Sequence, residues 1–151
     1  MVSIRQVTAI PTLMHWRAEV IRNVFGIEPH PRMLVATRQY YRSHIADGSH
    51  LALVADIDGE DCACGAACFT DELPSPDNPT GRCAYLMNIY VREPFRNRGI
   101  AGQIVRRLID EALKRDCAKI YLETTSEGKS LYLSSGFVEM PDMMKYYGTE
   151  I

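Results

Sequence analysis

The sequence predicts a single α/β domain spanning residues 1–151, with a mixed, mostly antiparallel sheet flanked by helices in the order β-α-α-β-β-β-α-β-α-β-β. Three observations lead to this fold class. Apolar runs of strand length alternate with segments of helical periodicity. The dipeptide Asp58-Gly59 divides one long apolar run into a hairpin. Near the middle, a strand, a glycine-containing turn, a helix and another strand follow one another, which is the order of a parallel crossover.

The N-terminal third is predicted to form one strand and two helices. Residues 3–8 have the composition of a short strand. Residues 11–25 show helical periodicity, begin with a proline suited to a first turn, and stop at Gly26. A second helix is predicted over residues 32–46, because the glycine of Asp47-Gly48 follows its last periodic residue.

The middle of the chain is predicted to form three strands and one long loop. The hairpin strands cover residues 50–57 and 61–70. Residues 71–81 contain three prolines and few apolar side chains, so we expect an irregular surface loop. Residues 83–91 are almost continuously apolar, which is typical of a buried central strand.

After the glycine-containing turn the sequence predicts a helix, a strand and a second, short helix. The first helix is amphipathic and extends to about Asp116. The strand covers residues 118–125, and the short helix covers residues 129–135. The tail, residues 138–151, is predicted to add one or two further strands.

Composition and charge exclude several classes of function. The 17 basic and 19 acidic side chains leave a net charge of −2, so we expect no nucleic-acid partner. No apolar run approaches the roughly 18 to 20 residues that span a bilayer, and the N-terminus has no apolar signal core, so we expect a cytoplasmic protein without a membrane partner. The odd number of cysteines argues against a disulfide framework, and the single residue between Cys62 and Cys64 is too short a spacing for a typical zinc site. We therefore predict no metal.

The segment FRNRGIAG, residues 95–102, stands where the central strand passes into the amphipathic helix. A turn at this place leaves backbone N–H groups free, and the helix dipole adds partial positive charge. Gly99 and Gly102 allow a ligand to approach the backbone closely, and Arg96 and Arg98 can add charge-assisted contacts. The segment therefore predicts a binding site for a phosphorylated ligand.

Two general phosphate motifs do not fit. The dinucleotide fingerprint Gly-x-Gly-x-x-Gly lacks its first glycine, since only Gly99 and Gly102 are present. A P-loop would use Gly128-Lys129-Ser130, but Glu123 occupies the position of its first glycine. A nucleotide-binding protein that uses Gly128-Lys129-Ser130 nevertheless stays open as an alternative hypothesis, and such a protein would bind ATP.

A third motif fits in full and is supported by a second. Residues 96–101 satisfy Gln/Arg-x-x-Gly-x-Gly/Ala, and LYLSSGF, residues 131–137, resembles the element L-Y-E-x-x-G-F. In this order the two motifs resemble the GNAT family of N-acetyltransferases. The longer phrase ETTSEGKSLYLSSGF is similar to uncharacterised small-molecule members of that family, with Glu123 in place of a histidine and Lys129 in place of an arginine. The resemblance covers nearly the whole chain, and implies a sheet whose central strands 4 and 5 splay apart.

The resemblance also implies the donor and its site. The donor is acetyl-CoA, whose pyrophosphate would lie on the backbone N–H groups of residues 98–102 and whose pantetheine would pair with the exposed edge of residues 89–91. Arg96 could contact the ligand or hold the turn. The implied binding residues are Ile89, Tyr90, Val91, Arg96, Asn97, Arg98, Gly99, Ile100, Ala101 and Gly102.

For catalysis, the resemblance points to Tyr132 as the general acid that protonates the departing CoA thiolate. A phenol with a pKa near 10 keeps its proton at neutral pH, as that role requires. The general base stays open between Glu123, Glu72 and a water relay through Tyr85 or Asn88.

The implied reaction is acetyl transfer to a primary amine by direct attack in a ternary complex. The acceptor is a small-molecule amine or a peptide amine. The alternative is a non-catalytic acyl-CoA-binding or regulatory module. Several apolar residues of the tail could close the acceptor pocket or form the edge of a homodimer; they are Met140, Met143, Met144, Tyr146 and Tyr147.

Overall fold

The computed structural model describes residues 1–148 and contains one sheet of five strands in the order β1-β2-β3-β4-β5. The strands are β1 (Val2–Gln6), β2 (His50–Ile57), β3 (Glu60–Asp71), β4 (Arg82–Val91) and β5 (Lys119–Leu122). The α-helices are α1 (Ile10–Val20), α2 (Pro31–Ala46), α3 (Ile100–Lys114) and α4 (Lys129–Ser134).

The sheet is mixed, as the sequence predicts. Strands β1 to β4 pair antiparallel with their neighbours, and β4 pairs parallel with β5. Because parallel strands need a crossover, α3 connects β4 to β5 and packs on the sheet. The predicted fold class, a flanked and mostly antiparallel mixed sheet, is confirmed.

Each face of the sheet has its own apolar core. Neighbouring residues of β2 show the division, since Leu53 packs with the α3 side and Val54 packs with the α1 and α2 side. The α3 side includes Leu86, Ile100, Ile104, Val105 and Leu108, and the α1–α2 side includes Leu13, Trp16, Val20, Tyr41 and Tyr90. Both apolar cores include residues of β3 and β4, so these two strands lie between the two helical layers.

Most element boundaries agree with the sequence, and two differ. The predicted first helix, residues 11–25, ends as an α-helix at Val20 and continues through a wider π-helical turn, Ile21–Phe25, before Gly26 stops it with φ 70°. Strand β5 is shorter than the predicted strand over residues 118–125. Both differences occur at element ends, where local patterns fix boundaries weakly.

The tail does not form the strands that the sequence predicts. Residues 138–148 contain no strand, and Met144 and Tyr146 are 98% and 92% exposed. An alternating or apolar pattern yields a strand only where an edge pairs with it and its apolar face is covered. An ion pair between Lys129 and Glu139 ties the beginning of the tail to α4 instead. Residues 149–151, the end of the predicted tail, lie outside the described residues.

Helix α3 lies directly on β3 at Gly65. A Cβ at this position would overlap the Cγ2 methyl of Ile104 and would come within 3.4 Å of Ile89. Ile104 is fully buried in the α3-side core. The absence of a side chain at residue 65 therefore sets the distance between the helix and the sheet.

We expect Gly65→Ala to lower the free energy of unfolding by about 1–3 kcal/mol, because the added methyl overpacks a closed core. Urea denaturation measures the change. Leucine has no Cγ2 methyl on its Cβ, so in an Ile104→Leu background Gly65→Ala should lower the free energy of unfolding by a smaller amount. An equal cost in both backgrounds would show that the approach of α3 to β3 is not the cause.

Candidate functional site

The candidate site begins where β4 and β5 stop pairing. The parallel ladder joins Cys83 to Lys119 at one end and Leu86 to Leu122 at the other. Strand β4 continues to Val91, and among the described residues it has no partner on the β5 side beyond Leu86. The strands therefore splay, and backbone N–H and C=O groups along that edge of β4 are free to pair with a ligand.

A bulge in β4 lies beside the splay. The register with β3 shifts between Cys64 and Ala66, and Asn88 adopts the left-handed conformation with φ 59°. Asparagine tolerates this conformation better than most residues. The Cys64 thiol donates to the Asn88 carbonyl at 3.2 Å, and Arg17 Nη1 donates to Asn88 Oδ1 at 2.8 Å. These two bonds hold the bulge from the β3 side and from α1.

The glycine-containing turn after β4 opens α3. Asn97 and Gly99 both have positive φ, 64° and 74°, and Gly99 is the residue before the helix begins at Ile100. Nothing lies within 4 Å of the place where a Cβ of Gly99 would be, so the turn is open to solvent. The first N–H groups of the helix have no intrahelical partner and, together with the helix dipole, can attract an anion.

The two arginines of the turn contact the turn itself. Arg96 Nε donates to the Val91 carbonyl at 2.9 Å. The Arg98 guanidinium lies 5.6 Å from the ring centroid of Phe95 and donates to the Pro94 carbonyl at 3.4 Å. Of the two roles that the sequence left open for Arg96, this geometry favours holding the turn.

The structure brings the two sequence motifs together. A Cβ on Gly102, in the first turn of α3, would lie 3.8 Å from Leu131 Cδ1 in α4. Tyr132, the next residue of α4, and Ile89 of β4 both pack against the core cluster that contains Ile100. The helix that carries the predicted general acid therefore lies beside the first turn of α3, and the splayed strand packs on the same cluster.

Tyr132 is held by its neighbours and keeps its proton. Its ring meets that of Phe137 edge-on, with centroids 5.9 Å apart, and the Phe137 N–H donates to the Tyr132 carbonyl at 3.0 Å. Burial raises the pKa of Tyr132 above the ordinary value of a phenol. The hydroxyl is therefore a proton donor at neutral pH.

A second tyrosine, Tyr85, lies in the last paired part of β4 and is hydrogen-bonded to a carboxylate. Tyr85 donates its hydroxyl proton to Glu123 Oε1 at 3.2 Å, and its ring lies 5.1 Å from that of Tyr121. Burial and the negative charge of Glu123 raise the pKa of Tyr85 to about 12. Glu123 follows Leu122, the last paired residue of β5. Glu123 therefore lies where β4 and β5 begin to separate.

The other carboxylate suggested by the sequence is at the opposite end of β5. Glu72 Oε1 accepts from Lys119 Nζ at 2.8 Å, and this bond lowers the pKa of Glu72. Lys119 is the first residue of β5, whereas Glu123 lies just beyond its last. The structure therefore separates Glu72 from the region bordered by Tyr132 and Glu123.

Sequence reasoning missed a polar network on the α1–α2 face. Tyr40 Oη lies 2.8 Å from His50 Nδ1 and 3.1 Å from Cys68 Sγ, and Cys68 Sγ lies 3.5 Å from Met87 Sδ. His50 is buried, and this burial is the main cause that lowers its pKa to about 4. No local motif marks these residues or Arg17, because they meet only through tertiary packing.

Within residues 1–148, no three histidine, cysteine or acidic side chains are grouped closely enough to hold a metal ion. The five cysteines are free thiols. In the same part of the chain, no helix has both the length and the apolar composition needed to cross a membrane.

Comparison with known proteins gives a family and relatives. A family model described as "Acetyltransferase (GNAT) family" matches residues 10–137. Glucosamine 6-phosphate N-acetyltransferase 1 of rice is 28% identical over 141 residues, which cover 86% of this chain and 82% of that protein. Human N-alpha-acetyltransferase 30 is 29% identical over 110 residues, and the match covers 71% of this chain but 29% of the human protein.

A solved structure is similar over the whole fold. The crystal structure of a predicted acetyltransferase with acetyl-CoA from Clostridium acetobutylicum has a TM-score of 0.88 and 27% identity. The similarity covers 97% of this chain and 96% of the other. The bacterial protein therefore shares both the sheet and the helices around the candidate site.

Proposed function

Because the chain belongs to the acetyltransferase (GNAT) family, we propose that it is an N-acetyltransferase that transfers the acetyl group of acetyl-CoA to a primary amine. The observation that supports this most directly is the arrangement of three features. The unpaired edge of β4 leads along the chain to an open helix N-terminus at Gly99, and α4, which carries Tyr132, contacts the first turn of that helix.

The residues of this region fit acetyl-CoA. The turn can take the pyrophosphate on the N–H groups of residues 98–102, since Gly99 leaves it open. The edge of β4 from Ile89 can pair with pantetheine as an added strand. The proposed binding residues are Ile89, Tyr90, Val91, Arg96, Asn97, Arg98, Gly99, Ile100, Ala101 and Gly102. Tyr90 is 8% exposed, so its contribution comes from the backbone.

We propose direct attack in a ternary complex. The neutral amine forms a bond to the acetyl carbon, and the carbon–sulfur bond breaks. Tyr132 gives its proton to the departing thiolate, and the excess proton of the amine passes to a base. All five cysteines are either buried or partly buried, and burial raises the pKa of each thiol, so the chain offers no activated thiol for an acetyl-enzyme route.

Of the base candidates, we propose Glu123, acting directly or through the Tyr85 hydroxyl. Glu123 accepts the hydrogen bond of Tyr85 where β4 and β5 begin to separate. Glu72 is occupied by Lys119 at the far end of β5. A carboxylate that is exposed and has no cation within 4 Å among residues 1–148 can accept the proton of an ammonium group.

The names of the relatives support an amine acceptor. The rice relative is named for the N-acetylation of an amino sugar phosphate, and the human relative is named an N-alpha-acetyltransferase. Both names describe acetylation of a nitrogen. The small-molecule and the peptide amine therefore both stay within the proposed class.

The proposed function is tested by binding and by turnover. We expect calorimetry to detect acetyl-CoA, and a panel of amines to release free CoA thiol from it. ATP in place of acetyl-CoA is the control for the nucleotide-binding alternative. Acetyl-CoA binding without thiol release from any amine would support the non-catalytic module instead, and the absence of acetyl-CoA binding at millimolar ligand would contradict the assignment.

Tyr132→Phe should keep the fold and the affinity for acetyl-CoA, because the hydroxyl has no hydrogen-bond partner within the described residues and the ring packing is retained. Turnover should fall by about 10²-fold or more, since a positioned general acid contributes on that scale. Steady-state thiol release with calorimetry on the same variant separates the two effects. Unchanged kcat would remove Tyr132 from the mechanism.

Glu123→Gln should lower kcat at neutral pH by about 10²-fold, because the amide cannot take the proton of the amine. Glu72→Gln is the matched control, since it makes the same chemical change on a carboxylate at the opposite end of β5. Equal activity in the two variants would exclude Glu123 as the base and leave a water relay at Tyr85 or Asn88.

A further inference from the structure

We infer that Arg17 binds an anionic group of the acceptor, a carboxylate or a phosphate placed close to the nitrogen that is acetylated. This inference rests on the proposed function and names the class of its acceptor. The acceptor would be a small amine with its own negative charge rather than the neutral N-terminus of a peptide.

The position of Arg17 places a positive charge beside the β4 bulge. Its side chain is half-buried, and Nη1 donates to Asn88 Oδ1 at 2.8 Å. Asn88 is two residues beyond Leu86, where the pairing of β4 with β5 ends. The guanidinium therefore lies at the same level of the sheet as the opening of the splay. An arginine has five N–H donors in a planar fork, which suits a carboxylate or a phosphate.

The charge of Arg17 is not balanced by the chain. Among residues 1–148, no carboxylate oxygen lies within 4 Å of its guanidinium. The nearby acidic residue of α1, Glu19, accepts two bonds of 2.9 Å from Arg92. The Arg92 guanidinium is also 4.3 Å from the ring centroid of Trp16. Both carboxylate oxygens of Glu19 are thus bonded to Arg92. The partly desolvated guanidinium of Arg17 has no such partner, and an anion would stabilise it.

Three groups that lie near Arg17 on this face, Tyr41, His50 and Cys68, are neutral at neutral pH. Burial raises the pKa of Tyr41 to about 12, and the charge of Arg17 acts against that shift. Burial also keeps the imidazole of His50 and the thiol of Cys68 uncharged. These three groups therefore add no charge that would neutralise the guanidinium of Arg17.

Glu123 supplies the opposite charge on the same face of the sheet. Its partner Tyr85 is opposite Cys68 in the β3–β4 register, and Cys68 contacts Tyr40 of α2. Tyr85 therefore points to the side where α1 and Arg17 lie. A ligand between them would direct its ammonium group to Glu123 and its anion to Arg17. This arrangement matches a zwitterion, such as an α-amino acid or an amino sugar phosphate.

The experiment compares matched acceptors that differ by one charge. We would measure kcat/KM at saturating acetyl-CoA for α-amino acids against their carboxamides, and for an amino sugar against its phosphate. We expect a preference of about 10- to 100-fold for the anionic member of one pair, since a hydrogen bond to a charged group is worth about 1.5–3 kcal/mol. The two pairs distinguish a carboxylate from a phosphate.

Arg17→Gln should reduce that preference toward one, and Arg17→Lys should keep part of it because the charge is retained. Arg22→Gln is the control, since Arg22 is an exposed arginine that pairs with Glu28. It should leave the preference unchanged. A loss of activity toward both members of a pair at the same ratio would assign Arg17 to the support of Asn88 and overturn the inference.

Binding distinguishes a failure of this inference from a failure of the proposed function. The same matched amines are titrated into the wild-type protein saturated with CoA, which requires no chemistry. Charge-selective binding without turnover would support the role of Arg17 and contradict the acetyltransferase. Turnover without a charge preference would leave the acetyltransferase standing and overturn the role of Arg17, and so would equal binding of both members.

Discussion

The candidate site depends on the point at which β4 and β5 stop forming hydrogen bonds. Up to Leu86 and Leu122 the two strands are an ordinary parallel pair, and beyond it β4 has an open edge. Unpaired strand edges are usually short or covered, because they attract other chains. Here the open edge leads along the chain to the turn at Gly99, and α4 contacts the first turn of the helix that follows. One interruption of the sheet therefore leaves an unpaired edge that leads to a helix N-terminus.

The bulge in β4 lies beside the splay, because the register with β3 shifts just beyond Leu86, where the pairing with β5 ends. An extra residue in β4 changes which side chains point to each face, so Leu86 and Ile89 both pack on the α3 side although they are an odd number of positions apart. This change requires Asn88 to adopt a left-handed conformation, which the bonds from Arg17 and Cys64 hold in place. On the other face, Gly65 lets Ile104 of α3 approach. A local backbone irregularity is thus supported from both layers.

Local chemistry explains what could be predicted from the sequence. The hairpin at Asp58-Gly59 and the helix that follows the glycine-containing turn depend on residues that are neighbours in the chain, and the structure contains both. The tail strands were predicted from an apolar pattern alone, and they were wrong for residues 138–148 because strand formation needs a partner edge that a pattern does not specify. The pairing of Tyr85 with Glu123 was likewise invisible, since parallel register joins residues that are far apart in sequence.

The same distinction separates the two halves of the candidate reaction. A phosphorylated donor can be held by backbone N–H groups, which need only small residues at fixed spacing, so a short motif suffices to suggest it. In the proposed reaction, the acceptor would be recognised by side chains that several elements bring together, Arg17 from α1 and Glu123 just after β5. Their charges have opposite sign, and each remains without a charged partner in the part of the chain described. Charges that the fold leaves uncompensated are therefore the feature from which the acceptor class can be inferred.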